Sequence, residues 1–350
     1  MMGDAARVIR YPFETPPAPG TAIEVADGVL WMRLPLPMAL DHVNVFALDD
    51  GAGWTLIDTG MASKKSRAIW EGLLSGPLNG KPVTRVLVTH HHPDHIGLAG
   101  WFQSEHGAEL WTTRTAWLMA RMLSLDVEDR PSDAAIAHWQ SAGIPADILD
   151  KRRGERPFNF ADVIAPLPMG YTRIAEGDRI DIGGRTFVIH MGNGHAPEHA
   201  TLWSETDNLI LGGDQLLPSI SPNLGVYPTE PLADPVGDWL ESCAHFQQMA
   251  RDDHFVLPGH KLPFVGLPTR LDQLIENHTS ALDRLAEFLR EPATAVESFV
   301  PIFKRDIRGD AFGLAMVEAI AHCQHLWHQG RATREMREDG AWVYQSVDAE

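Results

Sequence analysis

The sequence predicts a mixed α/β protein that gathers metal-ligand side chains at the ends of its strands. Three observations carry this. Short β-branched runs alternate with amphipathic helical stretches up to about residue 265. One such run leads straight into Thr89-His90-His91-His92-Pro93-Asp94-His95, which contains H-x-H-x-D-H. Three later strands end at Gly194-His195, Gly213-Asp214 and Gly259-His260, so a ligand-type side chain follows a glycine each time.

The elements follow in order. Thr21–Val25, Val29–Leu34, Val43–Leu48 and Trp54–Ile57 read as strands, with Asp49-Asp50-Gly51 as a turn. Lys64–Leu74 reads as a helix capped by Ser63. Val83–Thr89 is the strand that delivers the histidines, and Asp94–His106 fits one helix behind it. From 112 to 166 the chain changes character: Trp117, Met119, Met122, Trp139 and Ile148 recur at roughly helical spacing, which predicts a helical insert and a possible lid. Strands resume at Arg173–Ile174, Arg179–Ile182 and Thr186–His190, the last two joined at Gly183-Gly184. Ala200–Ser204, Asn208–Gly212 and Phe255–Leu257 are further strands, and Pro235–Arg251 is a helix between the last two. Beyond a boundary placed near residue 268, three helices (Leu271–Arg290, Ala293–Phe303, Ala311–His328) precede a hairpin over Thr333–Gln345, a winged-helix-like order in a small C-terminal domain.

The histidine segment points to metal. Residues i and i+2 at the end of an extended segment face the same way, so His90 and His92 can share one ion. Asp94 and His95 follow at a helix start and can face a second ion. Neutral imidazole and carboxylate suit zinc, manganese or iron. Packed histidines beside a carboxylate need partners, and an ion supplies them all at once.

These motifs, in the order T-H-x-H-x-D-H, G-H-x-P, G-D and P-G-H, resemble the metallo-β-lactamase superfamily, and Leu56-Ile57-Asp58-Thr59-Gly60 matches its early strand-end motif. The resemblance spans about residues 20–265. It implies an αββα sandwich with the site at one edge of two sheets. It assigns His90, His92 and His195 to a first metal, Asp94, His95 and His260 to a second, and Asp214 to a bridge between them; Asp58 would orient the ligands from behind. The triple-histidine form and the late Pro-Gly-His are similar to the glyoxalase II and thioesterase side of the superfamily.

The implied activity is hydrolysis by a hydroxide held between two divalent metals, zinc first, with iron or manganese as alternatives. Metal binding lowers the pKa of water from about 15.7 towards about 7, so hydroxide is available at neutral pH. Asp94 joins catalysis by guiding the proton. The expected substrate is a thioester, lactone or related small acyl compound. Two alternatives stand beside it: a phosphodiesterase or endoribonuclease, suggested by the winged-helix-like tail, and a single-iron persulfide dioxygenase, which would use His90, His92, His195 and Asp214 alone. Lys261, next to His260, is a candidate contact for an anionic substrate. His91 and His199 read as supporting histidines rather than ligands.

Charge and composition narrow the field. The chain carries 29 basic and 47 acidic residues, a net charge of −18. From Glu276 to Glu350 the balance is 8 against 13. Both argue against a phosphate-backbone partner and favour a small-molecule substrate, with a role for the tail in closing the pocket or in homo-oligomerisation. The Pro-rich lead-in, residues 1–20, has no apolar run of signal-peptide length, no segment is long enough to span a membrane, and a cytoplasmic location is expected. Cys243 and Cys323, the only two cysteines, read as buried free thiols.

Overall fold

The structure is a computed structural model describing residues 8–347; the first seven residues of the expected lead-in and the last three of the chain lie outside the described residues. Two compact units emerge. The first comprises 8–127, 159–222 and 249–270, and the second 128–158, 223–248 and 271–347.

The first unit opens with strands β1 (Ile23–Ala26), β2 (Val29–Pro35), β3 (His42–Asp49) and β4 (Trp54–Ile57). Helix α1 (Lys64–Ser75), strand β5 (Val83–Leu87), helices α2 (Pro93–Ile96) and α3 (Ala99–His106), strand β6 (Glu109–Thr112) and helix α4 (Arg114–Leu125) follow. With β7 (Thr172–Arg173), the strands form one sheet in sequence order, antiparallel from β1 to β4 and parallel from β4 to β7. A second sheet runs β13 (Phe264–Val265), β12 (Phe255–Pro258), β11 (Leu209–Gly213), β10 (His199–Ser204), β9 (Arg185–Gly192), β8 (Arg179–Ile182). Only β11 and β12 pair in parallel there.

Period-2 alternation explains why the two sheets stack. Trp31, Phe46, Leu48, Ile57 and Leu87 point from the first sheet into one core, where they meet Ile180, Ile182, Phe187, Ile189, Leu202, Leu211 and Leu257 of the second. Their sequence neighbours Met32, Val45, Ala47, Leu56 and Val86 point the other way, onto Trp70 of α1 and Phe102 of α3. The result is a mixed α/β sandwich with helices outside the first sheet. Trp31 is fully buried, and its indole N–H donates to Asn44 Oδ1 at 2.9 Å. A buried indole left without such a partner would be costly.

Two local differences from the sequence expectation have physical causes. The single helix expected over Asp94–His106 is broken into α2 and α3. Gly97 offers its carbonyl to the Ala165 N–H at 2.6 Å, and Thr59 Oγ1 accepts the Leu98 N–H at 3.0 Å, so the helical ladder is interrupted by the neighbouring loops. The stretch expected to form one insert over 112–166 divides between the units. Helix α4 stays with the sheets, whereas α5 (Asp133–Ser141) and α6 (Ala146–Gly154) belong to the second unit. There the Ala142 carbonyl accepts the Val296 N–H, and His138 Nε2 bonds the Val226 carbonyl.

The second unit also contains α7 (Pro235–Gln247), most of α8 (Leu267–Phe288), α9 (Phe299–Phe303), α10 (Phe312–His328) and the hairpin β14 (Ala332–Met336) with β15 (Trp342–Ser346). These fall close to the helices and hairpin the sequence predicts for the tail. Cys243 and Cys323 are buried thiols, and neither forms a disulfide. No helix among the described residues is long and apolar enough to cross a membrane.

Ser63 caps α1 as expected, its side chain accepting the Ser66 N–H at 2.9 Å. Ser63→Ala is expected to lower stability by about 1 kcal/mol in urea unfolding, with an unchanged denaturant slope.

Candidate metal centre

The first unit brings all seven sequence-predicted ligand residues to one edge of the sandwich. Past the end of β5 the chain bends over Thr89–His91, His92 itself is extended (φ −61°, ψ 146°), and Pro93 then starts α2. His90 and His92 therefore lie at a strand end, with Asp94 and His95 in the first helical turn. His195 lies in the turn between β9 and β10, Asp214 directly after β11, and His260 just past β12.

Ring nitrogens of His90 and His92 are 3.0 Å apart, and His92 Nδ1 is 3.0 Å from His195 Nε2. Two donors about 2.0–2.1 Å from one ion at a tetrahedral angle sit roughly 3.3 Å apart, so these separations suit a shared ion. Around Asp214, Oδ1 is 3.3 Å from His95 Nε2, and Oδ2 is 3.2 Å from His260 Nε2 and 3.5 Å from His195 Nε2. Asp94 Oδ2 closes the other side, 3.4 Å from His260 Nε2 and 3.7 Å from His95 Nε2. Three groups of potential ligands result: His90/His92/His195, His90/His95/Asp214 and Asp94/His95/His260.

The surrounding hydrogen bonds decide which nitrogen of each ring faces inward. Asp58, held at φ +60°, accepts the Thr89 N–H at 2.8 Å and the Thr89 hydroxyl at 2.9 Å, and takes the Nδ1–H of His95 at 2.7 Å. Because the Thr89 hydroxyl donates to Asp58, its oxygen is left to accept His90 Nδ1–H at 3.0 Å. His260 Nδ1–H donates to the His42 carbonyl at 2.8 Å. In all three rings Nδ1 is committed to a protein hydrogen bond and Nε2 is the nitrogen aimed at the centre, the one an ion would take.

Two atoms test whether these residues fit a metal. His95 Nε2 and Asp214 Oδ1 are buried with no hydrogen-bond partner. Burial of that kind is costly unless something else satisfies the atoms, and a cation does. The electrostatics agree. Burial works against charge on His95, yet the Asp214, Asp94 and Asp58 carboxylates hold its pKa well above the usual histidine value. Burial likewise opposes charge on His260, but Asp214 overrides it and holds the ring at about 9. Without an ion, the carboxylates draw protons onto these rings. Burial, reinforced by the surrounding histidines, drives His90 well below its usual value.

Two residues that shape the site, Asn44 and Arg33, were not singled out from the sequence. Asn44 on β3 donates through Nδ2 to the Pro258 carbonyl at 2.8 Å and the Lys261 carbonyl at 3.0 Å, and its backbone N–H donates to the Gly259 carbonyl at 2.7 Å. Arg33 Nη2 also donates to the Lys261 carbonyl, at 2.6 Å. The first sheet thereby grips the turn that carries His260. A polar Asn inside the buried run Val43-Asn44-Val45 was the available signal. Gly259 is required by close approach, since a Cβ there would collide with Asp214 Oδ1. His199 accepts the Asp214 N–H through Nε2 at 3.1 Å and stacks on His90, and His91 is buried against His92, so both support the ligands. Lys261 sits in the same turn at φ +71°, its N–H donating to His42 Nε2 at 3.0 Å.

Asp58→Asn presents an N–H₂ or an uncharged carbonyl to His95 and weakens the hold on its tautomer. The expected result is a 10–100-fold loss of zinc affinity, read by chelator competition, with the fold retained. Unchanged affinity would remove the orienting role of Asp58.

Comparison with known proteins places the chain in a family. Residues 282–347 match the metallo-beta-lactamase-like C-terminal domain. The chain is 27% identical over 309 residues to a probable metallo-hydrolase of Bacillus subtilis, covering 86% of this chain and 92% of that protein. It is 38% identical to the crystal structure of a beta-lactamase domain protein from Burkholderia ambifaria, with a TM-score of 0.89 and coverage of 97% and 98% of the two chains. A metallo-beta-lactamase family protein from Thermus thermophilus is 25% identical, with a TM-score of 0.76 and coverage of 93% and 100%. Residues 38–289, which hold every candidate ligand, match the metallo-beta-lactamase superfamily, and the chain belongs to that superfamily.

Proposed function

We propose that this chain is a metal-dependent hydrolase of small acyl substrates, a thioester or lactone in the first instance. His90, His92 and His195 would hold one divalent ion, Asp94, His95 and His260 a second, and Asp214 both. The observation that carries this is the pair of ligand triads meeting at Asp214, whose Oδ1 is buried without a hydrogen bond beside the equally orphaned His95 Nε2. The imidazole and carboxylate donors suit zinc, with iron or manganese as alternatives. Ions held there would supply a water acidic enough to ionise near neutral pH and a Lewis acid for the substrate oxygen.

The chain's own groups divide the remaining work. Asp58 and Thr89 keep His95 and His90 in the receptive tautomer. The Asp94 side chain is 18% exposed, against 8% for Asp214 and 3% for Asp58, so Asp94 is the carboxylate best placed to exchange a proton with a bound substrate. Hydrolysis also fits the 27% identity to the probable metallo-hydrolase. The acyl class is supported by the glyoxalase II-like motifs and by α4, where Leu118, Met122 and Leu125 recur at i, i+4 and i+7 and stay exposed. That helix starts beside the site: Thr115 N–H donates to Glu198, three residues after His195, at 3.0 Å. An adaptable apolar stripe suits an acyl chain. The complete second triad favours two ions over a single-iron centre.

Elemental analysis of the purified chain and a thioester and lactone panel test this. Metal-dependent turnover is expected, abolished by chelator and restored by zinc. His90→Ala should lose about 10²–10³-fold in kcat/KM, the scale of removing one element of charge stabilisation. No turnover on any acyl substrate by metal-loaded enzyme would sink the acyl reading. Lys261→Ala should raise KM for anionic substrates roughly fivefold, about 1 kcal/mol, at unchanged kcat. An unchanged KM would remove Lys261 from the binding site.

A further inference from the structure

The second unit contains another group of metal-ligand side chains, separate in sequence from the centre just described. His278 projects from α8, and Glu318 and His322 lie four residues apart on α10, so both α10 side chains share one helical face. Ligand atoms of all three lie within 4.8 Å of one another. The two imidazoles are almost completely buried, at 1% exposure each. We propose that His278, Glu318 and His322 form a binding site for a divalent transition-metal ion, zinc by its ligand chemistry, that ties α8 to α10.

Three features support it. First, the ring nitrogens are already at ligand separation: His278 Nδ1 is 3.2 Å from His322 Nε2. This is close to the roughly 3.3 Å expected of two imidazoles on one tetrahedral zinc. Second, neighbouring groups orient the ligands. His322 Nδ1–H donates to the Glu318 carbonyl at 2.8 Å, which leaves Nε2 as the inward lone pair. Asn223 Nδ2 donates to Glu318 Oε2 at 2.8 Å and to the Leu314 carbonyl at 3.1 Å, holding the carboxylate against the helix. Ring N–H to carbonyl and amide to carboxylate are the contacts that commonly fix metal ligands.

Third, both imidazoles are uncharged and enclosed by aromatic neighbours. Burial lowers His278 to about 3 and His322 to about 4, so both rings are neutral and ready to ligate at physiological pH. Burial raises the Glu318 carboxyl to about 8, although the Asn223 hydrogen bond opposes this. At neutral pH that carboxyl keeps its proton in the empty cluster, and an ion would displace the proton on binding. The rings of His278 and His322 stack at 5.3 Å, and Trp239 packs edge-on against His278. Two imidazoles and one carboxylate are a donor set that zinc accepts, with water completing the coordination. Glu318 is only partly buried and offers a way in.

The test uses the full chain. Zinc is added to chelator-stripped protein, the excess is removed, and bound zinc per chain is counted for the unmutated protein, Glu318→Gln and His322→Gln. Each variant is expected to hold one equivalent fewer than the unmutated chain while keeping the zinc of the other centre and its helical circular dichroism. Crystals of the zinc-loaded unmutated chain, measured at the zinc edge, should show an anomalous peak about 2.0–2.2 Å from the His278, Glu318 and His322 ligand atoms. The crystal measurement needs no variant and so does not depend on either substitution folding. Equal zinc counts in all three chains, or no anomalous peak between α8 and α10, would overturn the proposal. Neither result bears on the hydrolase reading, which rests on the other centre.

Discussion

The Asp58 carboxylate is the contact on which the centre depends. Five imidazoles and two carboxylates crowd a space a few ångströms across, and left to themselves they would share protons rather than hold an ion. Asp58 settles the matter from behind. It accepts a hydrogen bond from His95 Nδ1–H and one from the Thr89 hydroxyl, which leaves the Thr89 oxygen to accept one from His90 Nδ1–H. The two rings then turn Nε2 towards the centre. Asp58 adopts an αL backbone, an uncommon choice for a residue with a side chain, and the Asp58 N–H remains bonded to the Leu87 carbonyl at 3.0 Å. The strained corner after β4 is therefore anchored to the strand that delivers the histidines.

The two sheets contribute differently. The first supplies a contiguous segment, His90 to His95, from one strand end and one helix start. The second supplies His195, Asp214 and His260 singly, from three connections. Neither sheet alone holds a complete set for both triads. The glycine before His260 allows Asp214 to approach the backbone, and His199 fixes the Asp214 amide from below. The cluster of seven side chains thus exists only where the two sheets are packed together.

Much of this was legible in the sequence because ligand chemistry restricts residue type and spacing so tightly. H-x-H-x-D-H after a β-branched run, and glycine before three later ligands, pick out all seven residues without reference to packing. Strand positions were also readable, since β2, β3 and β4 each alternate between two buried faces. The strands β6 and β13 were not read: Glu109–Thr112 abuts the stretch assigned to the helical insert, and Phe264–Val265 has only two residues. The break at Gly97 depends on a loop more than sixty residues away, and the division of 112–166 between two units depends on partners near 226 and 296. Long-range contacts of that kind have no local signature. Asn44 shows the intermediate case, a polar residue whose presence in a buried strand is visible but whose partners are not.

Asn44 also links the history of the core to that of the chemistry. Its Oδ1 receives the buried indole of Trp31 and the guanidinium of Arg33, while its Nδ2 holds the carbonyls flanking His260. A substitution that shifts Trp31 would therefore be felt at a ligand on the opposite sheet. Drift in the sandwich interior and drift in the metal centre are coupled through one amide. Losing that amide would release the buried indole of Trp31 and the turn that carries His260 together.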